Sequence, residues 1–231
     1  MTNGAPRELV IVGAGGFSRE TAAAAQTLFA RTGGPWRVAG FADDSDALCG
    51  STIDGLPVLG GIDDAVARDA DLVIGIGRPD AYTTRMRIVE RLDLAPARYA
   101  TIVHPACSFG DSVTVGEGTV ALANVVATTA VQIGRHVALM PGIVLTHDDV
   151  IGDYATLGAG VRLGGSVRVG TGAYIGSGVT VREGVSIGAW AMVGMGSVVT
   201  RDVPSGELWL GSPAHFHRAA PVPVDVLERA S

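Results

Sequence analysis

The feature that most limits what this chain can fold into is a six-residue register. Stepping by six from Val103 meets Phe109, Val115, Ala121, Ala127 and Ile133, then eleven further positions ending at Val199, all seventeen of them apolar. Glycine follows the key residue in ten of these seventeen hexads. Four residues after the key position comes a second small or branched residue, as at Val113, Val131, Val161 and Val179. A fixed short period marks a solenoid, whose units bury their apolar faces only by stacking. With a two-residue alternation in each strand, the first and fifth positions of a hexad point inward, and the third and fourth are left to turn a corner.

Residues before the repeat have another texture. From Arg7 to about Ala100, apolar runs alternate with helix-like segments, the sign of βαβ units. "ELVIVGAG" leads into "FSRETAAAAQTLFA" as strand, glycine turn and helix. "WRVAGFADD" and "DLVIGIG" read as a second and third strand, and "DAYTTRMRIVERLD" carries Met86, Val89 and Leu92 at helical spacing. A small parallel sheet flanked by helices is expected. Ligands of such sheets sit beyond the carboxyl ends of the strands, here Gly13, Ala14, Gly15 and Gly16, then Asp43 and Asp44, then Gly77 and Arg78.

Composition narrows the partners. A formal net charge of −6 and a pI near 5.3 provide no basic stripe for a nucleic acid. Thirty-three glycines with only 5% aromatics fit many turns around a narrow aliphatic core. Cys49 and Cys107 lack metal-ligand spacing and do not form a disulfide framework, which fits a reducing compartment. The first residues lack the basic region and cleavage site of a signal peptide, and no apolar run reaches about 18 residues. A cytoplasmic protein with no membrane partner is expected.

The hexad pattern resembles the hexapeptide-repeat proteins over roughly residues 103–204. The fold that this implies is a left-handed parallel β-helix of three hexads per triangular coil, following a small Rossmann-like α/β domain. The division expected is 1–100 for the α/β nucleotide-sugar-binding domain, 101–204 for the β-helix, and 205–231 for a C-terminal tail. His147 and Asp148 are third and fourth in the hexad of "LTHDDVIGDYATLGAG", so they belong to a corner and not to the core. One 18-residue coil beyond His147 lies Gly165, which has no side chain to fill the space. A histidine whose second ring nitrogen is held by a carboxylate has a fixed tautomer and added basicity, as a general base requires. Asp149 falls at an inward fifth position, where a carboxylate is costly without partners. Either the coil is distorted there or Asp149 joins a hydrogen-bond network.

A narrower resemblance spans nearly the whole chain. "VIVGAGGFSRE", "FADD", "GLPVLGGIDD", "VIGIGRPD", "ATIVHPAC", "THDDVIGDYATLGAG" and "LGSPA" follow one another as in the sialic acid O-acetyltransferase and UDP-4-amino-sugar N-acetyltransferase family. The resemblance implies an acyltransferase acting on an amino or hydroxyl group of a nucleotide-linked sugar, with acetyl-CoA as co-substrate and no metal. It also implies a homotrimer with acetyl-CoA between neighbouring helices, His147 as base and Asp148 as its partner. Substrate contacts fall on the three strand ends named above, and acetyl-CoA contacts on Thr156, Gly165, Ser177 and Met195. Gly211 to Ala214 match a cofactor-proximal element. The chain departs from the family at Phe17 and Ser18 in the first turn and at Met140, where an asparagine is usual, so the acceptor is left open. As a dinucleotide fingerprint "GAGG" is weak, since the full six-residue G-x-G-x-x-G is absent.

Two rival readings stay beside this one. A non-catalytic sugar-nucleotide-binding trimer would share the fold. A zinc-dependent γ-type carbonic anhydrase would need histidines five apart, whereas His136 and His147 are eleven apart. The segment from His215 to Pro221 reads as a solvated tail.

Overall fold

The computed structural model describes residues 5–222 and 224–228 of the 231. The N-terminal unit runs β1 (Arg7–Val12), α1 (Gly16–Thr32), β2 (Trp36–Ala42), the hairpin β3 (Thr52–Ile53) and β4 (Leu56–Pro57), α2 (Ile62–Val66), β5 (Ala70–Ile74) and α3 (Thr84–Leu92). β1 lies between β2 and β5, parallel to both. Leu9 to Val12 are fully buried on both faces, as a covered parallel strand requires. At about 1.5–3 kcal/mol for each fully buried large aliphatic side chain, this short strand anchors the unit.

The turn after β1 is set by packing. Gly13 has φ +94, and a Cβ there would stand 2.9 Å from Ile76 Cγ1 and 3.0 Å from Ser18 Oγ. Ser18 is fully buried and donates its hydroxyl to Gly75 O at 2.7 Å. It therefore ties the start of α1 to the end of β5, which gives a structural reason for one departure in the first turn.

Seventeen two-residue strands follow, from Ile102–Val103 to Val198–Val199, each ending on a key residue of the repeat. As far as Thr180–Val181, each pairs in parallel with the strand 18 residues on: Val126 with Val144, Gln132 with Val150, Ala138 with Thr156. The three ladders form the faces of a prism around one aliphatic column that includes Leu139, Leu145, Ile151, Leu157 and Ile175. The third and fourth residues of each hexad are turns, as the spacing predicts. One property is not visible in the apolar pattern. From Gly118 to Gly196 every fourth-position residue has positive φ, including Asn124, His136, Asp148, Tyr154 and Trp190. Asparagine and aspartate tolerate this conformation best after glycine, while the aromatic residues are held there by what they pack against.

Beyond Val199 the register shortens. Val203 bridges Ile187 and Leu208 pairs with Met192, sixteen residues apart instead of eighteen. One face of the prism thus continues past residue 204 into an antiparallel hairpin, Glu207–Gly211 and Ala214–Ala219. The segment expected as a solvated tail is ordered there, although His215 to Ala219 keep exposed side chains because only one side of the hairpin meets the coils.

The two units share a core. α1 packs through Ala22, Ala24 and Ala25 with Ile102, Val120 and Leu122 of the first coils. Tyr82 and Met86 pack with Trp190, Met192 and Leu208 of the last coils. Arg85 is fully buried between them. Its guanidinium donates to Ile76 O at 2.6 Å, Tyr154 O at 2.7 Å, Ala155 O at 3.1 Å and Thr156 Oγ1 at 2.8 Å. These oxygens are neutral, and burial lowers the Arg85 pKa to about 10.

Candidate active site

At the corner after strand Val144–Leu145, His147 Nδ1 and Asp148 Oδ2 are 2.9 Å apart, and both side chains are more than half exposed. With the proton on Nδ1, that N–H donates to the carboxylate and Nε2 keeps its lone pair. Asp148 N donates to Thr129 O at 3.1 Å and Ser166 N to His147 O at 2.8 Å, so the turn is bonded to the coils on both sides. The place a Cβ would take on Gly165 is filled by the His147 ring, through Nε2 and Cε1. The missing side chain at 165 therefore seats the imidazole itself, whereas the sequence suggests room for a ligand.

Asp149 resolves both halves of its alternative. It is fully buried, and its Oδ2 accepts from Thr146 N and its Oδ1 from Val167 N, each at 2.8 Å. Elsewhere the residue after a key position donates its N–H to the next coil, as Thr128 does to Leu145 O and Gly164 to Val181 O. Thr146 gives its N–H to Asp149 and its hydroxyl to Leu163 O at 3.1 Å. The ladder pairs only Val144 with Arg162 at this level, against two pairs in most strands. The coil is locally altered, and the carboxylate bridges the alteration. Burial raises the Asp149 pKa to about 6 against the opposing effect of its two amide donors.

The second candidate region is the crevice at the strand ends, a cavity of about 520 Å³. Gly13, Ala14, Gly15, Gly16, Asp43, Gly77 and Arg78 line it, together with Phe17, Ile76, Pro79 and Met140. No side chain caps α1 at Gly15, so its leading amides are available to an anion. A Cβ on Gly15 or Gly16 would meet nothing within 4 Å. Neighbouring atoms do not demand glycine at these two positions, and its absence of side chain leaves the backbone open to close approach. Asp43 holds the turn, accepting from Ala14 N at 2.9 Å and from Ser45 N at 3.0 Å. Asp44 does not line the cavity. It accepts from Ile62 N at 2.8 Å at the start of α2 and pairs with Arg91, and the Ile62 amide is the main cause of its lowered pKa. Arg78 lies at the rim, more than half exposed and paired with Asp80.

The four positions expected for acetyl-CoA do not fall together within one chain. Ser177 and Met195 line a groove of about 200 Å³ with Tyr174, Gly176, Gly194 and Pro79, and Met195 is 80% exposed. Gly165 lies under His147 at another corner. Thr156 is buried, its hydroxyl taken by Arg85, so it belongs to the contact between the two units. His136 is also remote from His147 in role: it is buried, stacked on Tyr154 at 5.4 Å, and desolvation lowers its pKa to about 4. Among the described residues there is no group of three or more His, Cys, Asp or Glu side chains arranged to hold a metal.

The PglD N-terminal domain family model matches residues 8–92. PerB from Caulobacter crescentus, solved with CoA and GDP-perosamine, superposes with a TM-score of 0.80 at 28% identity, covering 91% of this chain and 97% of that one. WeeI from Acinetobacter baumannii gives a TM-score of 0.76 at 28% identity over 90% of this chain and 99% of that one. The acetyltransferase domain of PglB from Neisseria gonorrhoeae, solved with acetyl coenzyme A, gives 0.81 at 24% identity, over 92% and 100%. No curated protein sequence matches. Residues 8–92 carry the PglD N-terminal domain, and the domain match and these likenesses together support the hexapeptide-repeat sugar acetyltransferases as this chain's relatives. Its likeness to the solved sugar acetyltransferases makes it an acyltransferase, and its prism is a left-handed β-helix.

Sequence reasoning missed Arg85 in this acetyltransferase. It lies three residues before Ile88 and seven before Leu92, both buried, so it interrupts the apolar stripe of α3. That interruption was the available signal.

Proposed function

We propose that the protein transfers the acetyl group of acetyl-CoA to an amine or hydroxyl of a nucleotide-linked sugar, with His147 as general base and Asp148 as its partner. The observation that carries the reading is the His147–Asp148 contact at 2.9 Å on an exposed corner. It leaves Nε2 free to accept a proton, while the other nitrogen has a fixed neighbour. The co-substrate supplies an activated thioester. As the acceptor nitrogen or oxygen attacks, its proton passes to Nε2, and Asp148 stabilises the imidazolium. The proton is then available to the departing thiolate. No serine or cysteine stands beside the pair in sequence, and among the described hydrogen bonds none joins a serine or cysteine side chain to it, so direct attack is simpler than a covalent intermediate.

Substrate placement follows from the crevice. The amides at the start of α1 suit a diphosphate, Arg78 adds a cation at the rim, and Phe17, Ile76 and Met140 present apolar surface to the rest of the ligand. Met140, unlike the usual asparagine, offers the acceptor no amide. The solved relative that contains GDP-perosamine supports a nucleotide-linked amino sugar.

The reading involves more than one chain. Met140 and His147 follow successive strands, Ala138–Leu139 and Val144–Leu145, and so stand at successive corners of the prism. A homotrimer sets the crevice and the Ser177–Met195 groove of one protomer against a neighbour's His147 corner. Cytoplasmic residence is proposed with it, since both substrates are intracellular metabolites.

Thiol release from acetyl-CoA against UDP-, dTDP- and GDP-linked amino sugars tests the function. Turnover with at least one acceptor is expected, and His147→Ala is expected to lower kcat by about 10²- to 10⁴-fold. No turnover with any acceptor, or an unimpaired His147→Ala, refutes the reading.

A further inference from the structure

We infer that Asp149 is the positioning residue of the transfer site, its buried carboxylate holding the peptide before His147 in a turn that the repeat by itself does not make. The inference rests on the functional reading above for its consequence in turnover, but not for its geometry.

Among the described residues from His104 to Gly194, Thr146 N is the one amide after a key residue that does not bond to the next coil, and both it and Val167 N donate to this carboxylate. In other coils a fifth-position amide such as Val161 N or Val185 N bonds within its own hexad, to Gly158 O and Arg182 O. Val167 N instead reaches across one coil to Asp149, as Val137 N does to the Thr119 hydroxyl, but only Asp149 also takes the amide of the residue before a corner, Thr146 N. One side chain therefore fixes the residue preceding His147 and joins it to the coil that contains Gly165, the seat of the imidazole. An apolar residue at 149 would restore the ordinary bonds and reset the start of the turn.

A residue kept only for stability would not be an acid. Fifth-position neighbours in the column, Val131 and Val167, are buried and apolar. The ionisable groups facing Asp149 are His147 and Asp148 of its own turn. With its pKa raised to about 6, the folded chain ionises Asp149 at a cost near neutral pH. Costs of this kind concentrate where geometry serves chemistry.

Only the ionised carboxylate accepts from both amides without offering a donor. As pH falls below about 6 it takes up a proton, one acceptor becomes a hydroxyl, and the turn loosens. Asp149→Asn imposes a similar loss at every pH, since the amide NH2 faces one of the two N–H groups.

The test combines NMR of the unaltered protein with kinetics of the variant. Backbone amide resonances of Thr146 and Val167 are expected to titrate together with a midpoint near pH 6, and the His147 ring is expected to show the same inflection. Asp149→Asn is expected to lower kcat by about 10- to 100-fold, the usual scale for a small misplacement of a reacting group. KM for acetyl-CoA should stay within about twofold, and thermal stability should be unchanged or raised. Asp149→Asn should also lose one ionisation from the acid limb of its kcat profile. A variant with unaltered kcat, or one losing kcat only in step with stability, overturns the inference. So do amides or a His147 ring that do not sense the ionisation. If no acceptor is turned over, the function falls, and the ring inflection, present in the native chain and lost in Asp149→Asn, still decides the positioning role.

Discussion

Two corners of the same prism use one device for opposite ends. At one, His136, Tyr154 and Trp190 occupy three levels of one fourth-position column, with Gly118 and Gly172 giving up their Cβ space to the rings of His136 and Trp190. At the other, Gly165 gives up the same space to His147. In both places a glycine 18 residues away in sequence makes room for a ring lying along the corner. The difference is what covers it. The first column is sealed by Tyr82, Arg85 and Tyr99 of the N-terminal unit; the rings of His136 and Trp190 are buried and that of Tyr154 half-buried. The second is uncovered within the chain, and His147 is more than half exposed. The repeat supplies the seat, and coverage determines whether the seated ring serves packing or chemistry.

Replacing the seats separates the two roles, with the largest effect at the covered corner. Gly172→Ala places a Cβ against the Trp190 ring, which is 1% exposed and cannot swing away, at a residue with φ +65. Overpacking and strain together predict a loss of about 2–4 kcal/mol, read as a lower denaturation midpoint. A midpoint within experimental error of the native one would mean that the aromatic column is not rigid. Gly165→Ala meets only the outer part of the exposed His147 ring, and the residue has no positive φ. Its expected effect on stability is below about 0.5 kcal/mol, while displacement of the ring lowers kcat by about 10- to 100-fold. Equal losses of stability in the two variants would remove the distinction between the corners.

The sequence made the β-helix plain because a hexad register is local and redundant: seventeen apolar positions cannot slip without exposing a whole column. It made the His147 corner plain for the complementary reason, since two polar residues at turn positions contradict nothing in the core. The fate of Asp44 could not be read in the same way. An acid at a strand end can bind a ligand or cap the next helix, and only the position of Ile62 N decides. The burial of Thr156 against Arg85 was hidden similarly, because strand residues on this face look alike until the N-terminal unit is docked. Arg85 is hard to read because three of its four partners are carbonyl oxygens, which every residue has. The left-handed fourth position was hidden by its tolerance: seven of its fourteen residues are glycine, and Trp190 and Tyr154 are kept there by long-range contacts.

Acid tests the same comparison at a smaller scale, because each corner holds one buried group that titrates on the acid side of neutrality, and the two shifts are opposite. Burial lowers the His136 pKa from 6.5 to about 4. Between those values the unfolded chain binds more protons, so the stability due to neutral His136 is full above about pH 6.5 and is lost as pH falls towards 4. Asp149 runs the other way, its pKa being raised from 3.8 to about 6. Its contribution is full below the unfolded value and is lost as pH rises through about 6. Over the shared window the two offset each other. His136→Phe should therefore make the variant less sensitive to acid than the native chain, and Asp149→Asn should make it more sensitive, each by about 1–3 kcal/mol across the window. Urea denaturation at about pH 4.5, 5.5 and 6.5 measures both slopes. Parallel slopes in all three proteins would show that coverage does not set the charge state of either group, and the contrast between the corners would then rest on packing alone.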